Sequence, residues 1–394
     1  MKEIAALFLK LGALGFGGPA AHIAMMEDEV VTRRGWLSRQ RFLDLIGATN
    51  LIPGPNSTEM AIHIGYLRGG WRGLLTAGVC FILPAVAITS AIAFAYVEYG
   101  SLPAMTPIFN GIKPVVIAIV AIALLRLATT AVTDWRLALI GIAVAAVSLR
   151  HGHEIFALLG GGLVGMLWLR ARKGMGSAPA WAGASGAALG SSPGQAGATS
   201  VVGATTALSA AAVGIKSAPL LAIPLWQLGL FFLKVGAVLY GGGYVLFAFL
   251  EGGLVDDLHL LTSTQLIDAI AIGQFTPGPV LSTATFVGYV IAGPLGAIVA
   301  TVGIFLPSFF FVAAVNPIIP RLRESPWAAS FLDAVNVSAV GLMVAVTFEL
   351  GRATLVDSFS WWTAVVTLVG IRGVGLGAGW FILAGGVTGW IIWT

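Results

Sequence analysis

The chain has 394 residues, of which 58% are hydrophobic and 10% charged, with a formal net charge of +4. A soluble domain carries about 25% charged residues, so this composition excludes a soluble enzyme and marks an integral membrane protein. The basic residues sit in short loops, where they report topology rather than a nucleic-acid partner, and the single Cys80 excludes a disulfide framework within the chain.

The first predicted element is a helix over 4–26, interrupted at Gly15-Phe16-Gly17-Gly18-Pro19. Lys2, the apolar run and the small residues near Pro19-Ala20-Ala21 look superficially like a signal peptide. The same segment returns deep inside the chain, which makes a mature helix the better reading. Next comes 39–65, split at Pro53-Gly54-Pro55 into pieces too short to cross a bilayer alone at 1.5 Å per residue. Either they form a re-entrant hairpin or one broken, tilted crossing. Apolar runs at 74–97 and 106–128 are long enough to span a hydrocarbon core of about 30 Å. They do not alternate apolar and polar residues, which argues against a membrane β-barrel. Shorter apolar pieces follow at 136–149 and 153–169.

Residues 174–200 are uncharged and rich in Gly, Ala, Ser and Pro, and 174–222 reads as a linker. Within it, 201–215 is a linker or surface helix, with an extra crossing as the competing reading. A broken helix then recurs over 223–249, interrupted at Tyr240-Gly241-Gly242-Gly243. A second segment cut by Pro277-Gly278-Pro279 follows, then long runs at 295–318 and 328–350 and short ones at 359–371 and 377–393.

The order repeats because the residues repeat. Phe8-Leu9-Lys10 returns as Phe232-Leu233-Lys234, Gly17-Gly18 as Gly241-Gly242, Glu27 as Glu251, Asp44 as Asp268, and Pro53-Gly54-Pro55 as Pro277-Gly278-Pro279. After a one-residue deletion Gly65-Tyr66 matches Gly288-Tyr289 and Leu83-Pro84 matches Leu306-Pro307. Two hydrophobic units with matched interruptions are how many secondary transporters are built. Residues 1–173 form one unit and 223–394 the other.

Charge sets the expected orientation. Arg33, Arg34, Arg39 and Arg41 precede the first Pro-Gly-Pro segment, and Arg68 and Arg72 follow it, whereas 251–265 carries Glu251, Asp256 and Asp257 and no Lys or Arg. With a hairpin in each half, the first copy is flanked on the cytoplasmic side and the second outside, the pattern of an inverted repeat. Arg170, Arg172, Lys173, Arg321 and Arg323 then fall inside. The fold class is all-α and polytopic: about ten transmembrane helices, five per half, plus one re-entrant hairpin per half.

The interruptions carry the chemistry. Two prolines around a glycine cannot be helix interior, each costing about 3 kcal/mol there. In lipid such a break survives only against protein or a water-filled cavity. With Pro55 as first residue of a new helix and Gly54 as its cap, the N–H groups of Asn56, Ser57 and Thr58 point at the break and suit an anion. A kink that only shapes packing is the plainer reading, weakened by the second copy. There Val280 and Leu281 replace the polar pair, so the expected site is asymmetric, with Ser282, Thr283 and Thr285 as the second half's contribution around Gly278. Lys10 and Lys234 lie in apolar helices, where a cation is expensive and a functional candidate. Snorkelling to an interface is their alternative. Lys113 and Arg126 have counterparts Asn336 and Glu349; the opposite signs of Arg126 and Glu349 allow an ion pair across the repeat interface, with two unrelated interfacial residues as the alternative. Asp44, Asp268 and Glu59 flank the breaks as candidates for a coupling proton, or as helix-start charges. His22 is a gate or proton residue, or a packed histidine.

No phosphate-binding loop, metal-spaced Cys/His cluster, G-x-S-x-G or H-E-x-x-H occurs. No ATPase, cofactor, metal or enzyme activity is expected.

The run from Phe8-Leu9-Lys10-Leu11-Gly12 through Gly15-Phe16-Gly17-Gly18-Pro19, His22, Glu29, Trp36-Leu37, Pro53-Gly54-Pro55-Asn56-Ser57-Thr58, Gly65-Tyr66 and Phe81-Ile82-Leu83-Pro84 resembles the chromate transporter family. Phe232-Leu233-Lys234, Tyr240-Gly241-Gly242-Gly243 and Thr276-Pro277-Gly278-Pro279 resemble its other domain. The resemblance covers nearly all of the chain outside the linker and points to the two-domain, long-chain form. It implies a multi-pass protein of the bacterial inner membrane that exports chromate, driven by the proton gradient or membrane potential, with sulfate as the isosteric competitor. The expected partners are that oxyanion and the lipid bilayer, with a homodimer left open. Import or exchange of sulfate or another oxyanion is the alternative. A non-transporting scaffold or lipid-handling enzyme is weaker, since a scaffold needs no doubled backbone gap.

Overall fold

In a computed structural model, described over residues 1–15, 18–100, 105–150, 153–171, 223–240, 242–315, 325–374 and 378–393, the described chain is helical and contains no strand. The expected linker, its 201–215 segment, Arg172, Lys173, Arg321 and Arg323 lie outside the described residues.

Glycine and proline mark the breaks, although Pro84, Pro114, Pro294 and Pro307 lie within helices. In the first half α1 (Lys2–Leu14) ends at Gly15, and α2 (Gly18–Glu27) runs on into a widened turn over Asp28–Arg33. Ser38 caps α3 (Arg39–Thr49) by accepting from the Arg41 amide. Pro55 then caps α4 (Asn56–Tyr99). Beyond it lie α5 (Thr106–Ala131), α6 (Trp135–Ser148) and α7 (Glu154–Ala171). The second half repeats the order: α8 (Leu225–Val238), short α9 (Leu246–Leu250), α10 (Ser263–Phe275), α11 (Thr283–Val315), α12 (Pro326–Thr354), α13 (Ser358–Val374) and α14 (Ala378–Trp393).

The sequence reading places each interruption correctly and the helix start one residue early. Pro55 is the cap rather than the first helical residue. In the second half a single tight turn, Val280–Ser282, intervenes before α11 begins.

Among the described residues, four helical stretches are long and apolar enough to cross a membrane: Asn56–Tyr99, Thr106–Ala131, Val280–Ala314 and Ala329–Thr354. The first and third are each two helices joined at a sharp bend, which the sequence reading did not place. The bend lies at Gly69-Gly70 in α4 and at Ala292-Gly293 in α11, with nearly the same dihedrals: φ is 58° at Gly70 and 62° at Gly293. Each bend folds the chain back on itself. A Cβ on Gly65 would collide with the Gly73 carbonyl, and one on Gly288 with the Gly296 carbonyl. A short helix after each Pro-Gly-Pro thus runs against the long helix that follows it.

Packing reproduces the repeat and also exchanges parts between its copies. Helix α1 packs on α4 and α8 on α11. Gly12 meets the Phe81 carbonyl in the first pair, and Gly236 the Ile304 carbonyl at the matching place in the second. The later helices cross over. Helices α6 and α7 pack on α12, the second half's counterpart of α5, while α13 and α14 pack on α5 itself. Small residues permit this approach, as in membrane helix pairs generally. Gly111 of α5 lies against Gly385 and Gly389 of α14, and Gly341 of α12 against Gly141 of α6. The largest apolar cluster joins Val116 and Val120 of α5, Leu158 of α7, Phe232 and Phe247 of the second broken helix, and Leu342 of α12.

Candidate functional site at the helix breaks

The breaks meet one another. The Gly54 N–H donates to the Leu239 carbonyl at the end of α8, and the Gly278 N–H donates to the Gly15 carbonyl at the end of α1, both at 2.8 Å. A helix end leaves carbonyls without intrahelical partners. Here each half satisfies one of the other's. Gly54 has φ 143° and Gly278 φ 95°, left-handed values that disfavour any other residue. Nearby, the Tyr244 hydroxyl lies 3.4 Å from where a Cβ on Gly18 would stand, and Gly243 lies against Val280 and Leu281. Gly242 keeps a positive φ, while Gly17 and Gly241 lie outside the described residues.

Around this junction the polar groups of the two halves are unequal. In the first half Thr58 turns its N–H back onto the Pro55 carbonyl at 2.8 Å. Of the three amides expected at the break, those of Asn56 and Ser57 remain there as first-turn groups. The Asn56 side chain donates to Asn50 at 2.7 Å. Ser57, Thr58 and Glu59 are buried. Thr58 Oγ1 and both Glu59 carboxyl oxygens have no hydrogen-bond partner. In the second half Thr283 bonds the Val280 carbonyl at 2.8 Å and Thr285 pairs with Thr301 at 2.7 Å. Ser282 Oγ is buried and unpartnered.

Other candidates fall elsewhere. The Lys10 ammonium donates to Glu29 at 2.7 Å, across the first break. Buried Glu29 also faces Arg33 and Arg34. Its carboxyl is held below the usual range, chiefly by the Lys10 hydrogen bond, against burial and with help from Arg34. Lys10 is therefore already engaged by a carboxylate. Lys234 is exposed, and among the described residues no carboxylate pairs with it. His22 is buried and bonds the Gly15 carbonyl through Nε2 at 2.9 Å, its ring edge-on to Phe81. It therefore braces the first break. Asp268 is buried on α10, accepts from the Tyr96 hydroxyl at 2.9 Å and lies within electrostatic reach of Lys113, which itself donates to Asn110. Its counterpart Asp44 is half-buried on α3. Arg126 lies within electrostatic reach of Tyr244. Glu349 lines a separate acidic cavity with His153, Glu154, Glu251, Asp256 and Asp257.

The sequence reading missed His63 and Ser308. His63 is fully buried one turn beyond Glu59, with neither ring nitrogen bonded, and Ser308 Oγ is likewise buried and unpartnered. The i, i+4 spacing of Glu59 and His63 on an apolar helix was the available signal.

These features define a class: a helical, multi-pass membrane protein built from two copies of one unit, with matched backbone breaks. The chain belongs to the chromate transporter family, whose model, described as Chromate transporter, matches residues 2–166 and again 226–390. Among curated relatives, the chromate transport protein of Cupriavidus metallidurans is 31% identical over 375 residues, 93% of this chain and 87% of that one. The chromate transport protein of Pseudomonas aeruginosa is 31% identical over 401 residues, 99% of this chain and 92% of that one. The probable chromate transport protein of Synechococcus elongatus is 30% identical over 378 residues, 94% of this chain and 89% of that one. No solved structure matches the chain.

Proposed function

We propose that this protein moves chromate across the bacterial inner membrane by secondary active transport. The direction is efflux, driven by the proton gradient or the membrane potential, with alternating access around one anion site at the junction of the breaks. The observation that carries this reading is the reciprocal pairing of Gly54 with Leu239 and of Gly278 with Gly15. It brings the two Pro-Gly-Pro breaks against the two first-helix breaks in one place. The names of the relatives supply the substrate.

In this reading the two units, 1–173 and 223–394, are inverted in the bilayer, each with five crossings and one re-entrant hairpin, and 174–222 connects them. Helix N-termini favour negative charge through their free amides and dipole. The amides of Asn56 and Ser57, with the hydroxyls of Thr58 and Ser282, are the substrate contacts. Lys234 supplies the attraction for a dianion. Lys10 contributes only when Glu29 releases it, which ties anion entry to the charge cluster on that face.

Uptake of labelled chromate, and in parallel of labelled sulfate, into inverted membrane vesicles, with and without an imposed proton gradient, tests the reading. Gradient-dependent accumulation is expected. Accumulation of labelled sulfate but not of chromate would replace it with transport of a different oxyanion. Absence of both, with folded protein in the vesicles, would overturn it.

A further inference from the structure

The two Pro-Gly-Pro breaks are related by the repeat, yet among the described residues a buried carboxyl and imidazole follow the break in the first half alone. In the Pro-Gly-Pro register the second half has Thr283 where the first has Glu59, and in the Gly65 and Gly288 register it has Phe286 where the first has His63. In the Leu83-Pro84 and Leu306-Pro307 register, Ser308 stands opposite Ala85. A Cβ on Gly54 would meet the Glu59 carboxyl and the Ser308 hydroxyl, whereas one on Gly278 would meet Ala85. The shared architecture therefore needs neither the carboxyl nor the imidazole.

Glu59 and His63 are fully buried, and none of their four side-chain polar atoms has a hydrogen-bond partner. An ionised carboxylate in that position would carry a desolvation cost with no hydrogen bond to offset it. A neutral acid avoids that cost. The two side chains share one face of the short helix, His63 about 6 Å further along than Glu59 at 1.5 Å per residue. The charged and titratable neighbours in electrostatic reach are Tyr240, after α8, on Glu59, and Arg41, on α3, on His63. Arg41 is exposed, so the pair runs from the junction of the breaks toward an open face.

We propose that Glu59 and His63 form a proton-binding pair, present in the first half alone, that couples proton movement to the anion site. The ligand is a proton. It leaves Glu59, which becomes the carboxylate, and passes to solvent through the neutral His63 imidazole, which accepts a proton at one ring nitrogen as it gives one up from the other; the like charge of Arg41 makes His63 a relay rather than a resting place. The asymmetry gives the two-fold architecture one proton site. This rests on the transport reading above in assigning the coupling, but proton binding itself does not.

The test has two arms on purified, full-length protein. The first follows the infrared carbonyl band of protonated carboxyls against pH, in the wild type and in Glu59→Gln. A pH-dependent band lost in the variant is expected; spectra that titrate identically overturn the proposal. The second compares chromate uptake into proteoliposomes with and without a pH gradient. The wild-type ratio should be several-fold, falling to about one in Glu59→Gln and at least halving in His63→Gln. A gradient response equal to wild type in Glu59→Gln, or a folded Glu59→Gln protein with no uptake under either condition, overturns it. A wild type that takes up chromate with no gradient response also overturns the coupling while leaving the transporter reading intact. If the wild type takes up no anion, the transport reading fails, and the infrared arm alone decides whether the pair binds a proton.

Discussion

The backbone N–H of Gly54 is bonded to the carbonyl of Leu239, 185 positions further along the chain. The repeat-related bond joins Gly278 to Gly15. Each Pro-Gly-Pro break is thus held by the other half's first helix rather than by its own. A shift of one half against the other must break or re-form both bonds together. In the proposed alternating-access cycle this pairing would serve as the hinge, and the close fit at each glycine makes the breaks sensitive to side chains.

Gly54→Ala should lower the thermal midpoint of the purified protein. Holding a non-glycine residue at a sparsely populated φ costs on the order of 1–3 kcal/mol, and the added Cβ would also meet Glu59 and Ser308. Gly278→Ala should be destabilised for the same backbone reason, with Ala85 as the obstacle. Thermal unfolding in detergent checks both; midpoints equal to wild type would show that neither conformation is needed.

The exchange of helices between halves predicts a contrast on α12. Gly341→Leu would drive a side chain into the Gly141 carbonyl and Val144 of α6, and overpacking of this kind costs about 1–3 kcal/mol. Gly351 on the same helix has only Ile117 nearby, at 3.9 Å. Gly351→Ala should therefore be neutral or stabilised by up to about 1 kcal/mol from helix propensity. Equal effects at the two positions would contradict the packing of α12 on α6.

Glu29 gives a pH dependence of known sign. Its folded carboxyl lies below the usual range, first because Lys10 donates to it. Its ionised form therefore stabilises the fold above the ordinary carboxylate range, and that contribution is lost as pH falls through the folded value. Glu29→Gln should have a lower midpoint than wild type at neutral pH, with the gap closing in acid. A gap independent of pH would mean that the ion cluster is not its cause.

Glu251 has the opposite sign. Burial pushes its carboxyl up to about 7 from 4.5; the Ser263 hydroxyl opposes this, and Asp256 and Glu349 add to it. Between those values the folded protein holds a proton that the unfolded chain releases, so stability is highest below 4.5 and declines as pH rises to about 7. Glu251→Gln should remove that decline and be the more stable form above neutrality. A midpoint series across pH checks it, and an undiminished decline in the variant would assign it to another group.

Lys234→Met should reduce chromate flux at least tenfold with little change in midpoint, since Lys234 is exposed and makes no ion pair among the described residues. Lys10→Met should lower both flux and midpoint, because it also strips a partner from Glu29. Flux in Lys234→Met equal to wild type, at matched expression, would remove Lys234 from the anion path.

The broken helices were legible because proline and glycine act locally. Pro53-Gly54-Pro55 cannot be helix interior in any context, and a second copy at 277–279 turns a kink into a pattern. The bend at Gly69-Gly70 was not legible: its first copy has no proline, and two glycines in an apolar run do not announce a reversal. Lys10 read as a free intramembrane cation because Glu29 lies 19 positions away across a break, a separation that no helical period connects. The crossing of α6 and α7 onto α12 escaped for the same reason: Gly141, Gly161 and Gly341 show that something approaches closely, but not which helix. His63 does not stand out in the sequence, a single histidine between Ile62 and Ile64; its unbonded nitrogens beside the equally unbonded Glu59 are visible only in the structure.

Equilibrium binding of labelled chromate to the purified protein, with no gradient present, tests the shared anion site most directly. Saturable binding of one chromate per chain is expected, competed by sulfate and weakened at least tenfold both by Ser57→Leu in the first half and by Ser282→Leu in the second. Two independent sites, or binding weakened by only one of these substitutions in folded protein, would contradict a single site built by both halves.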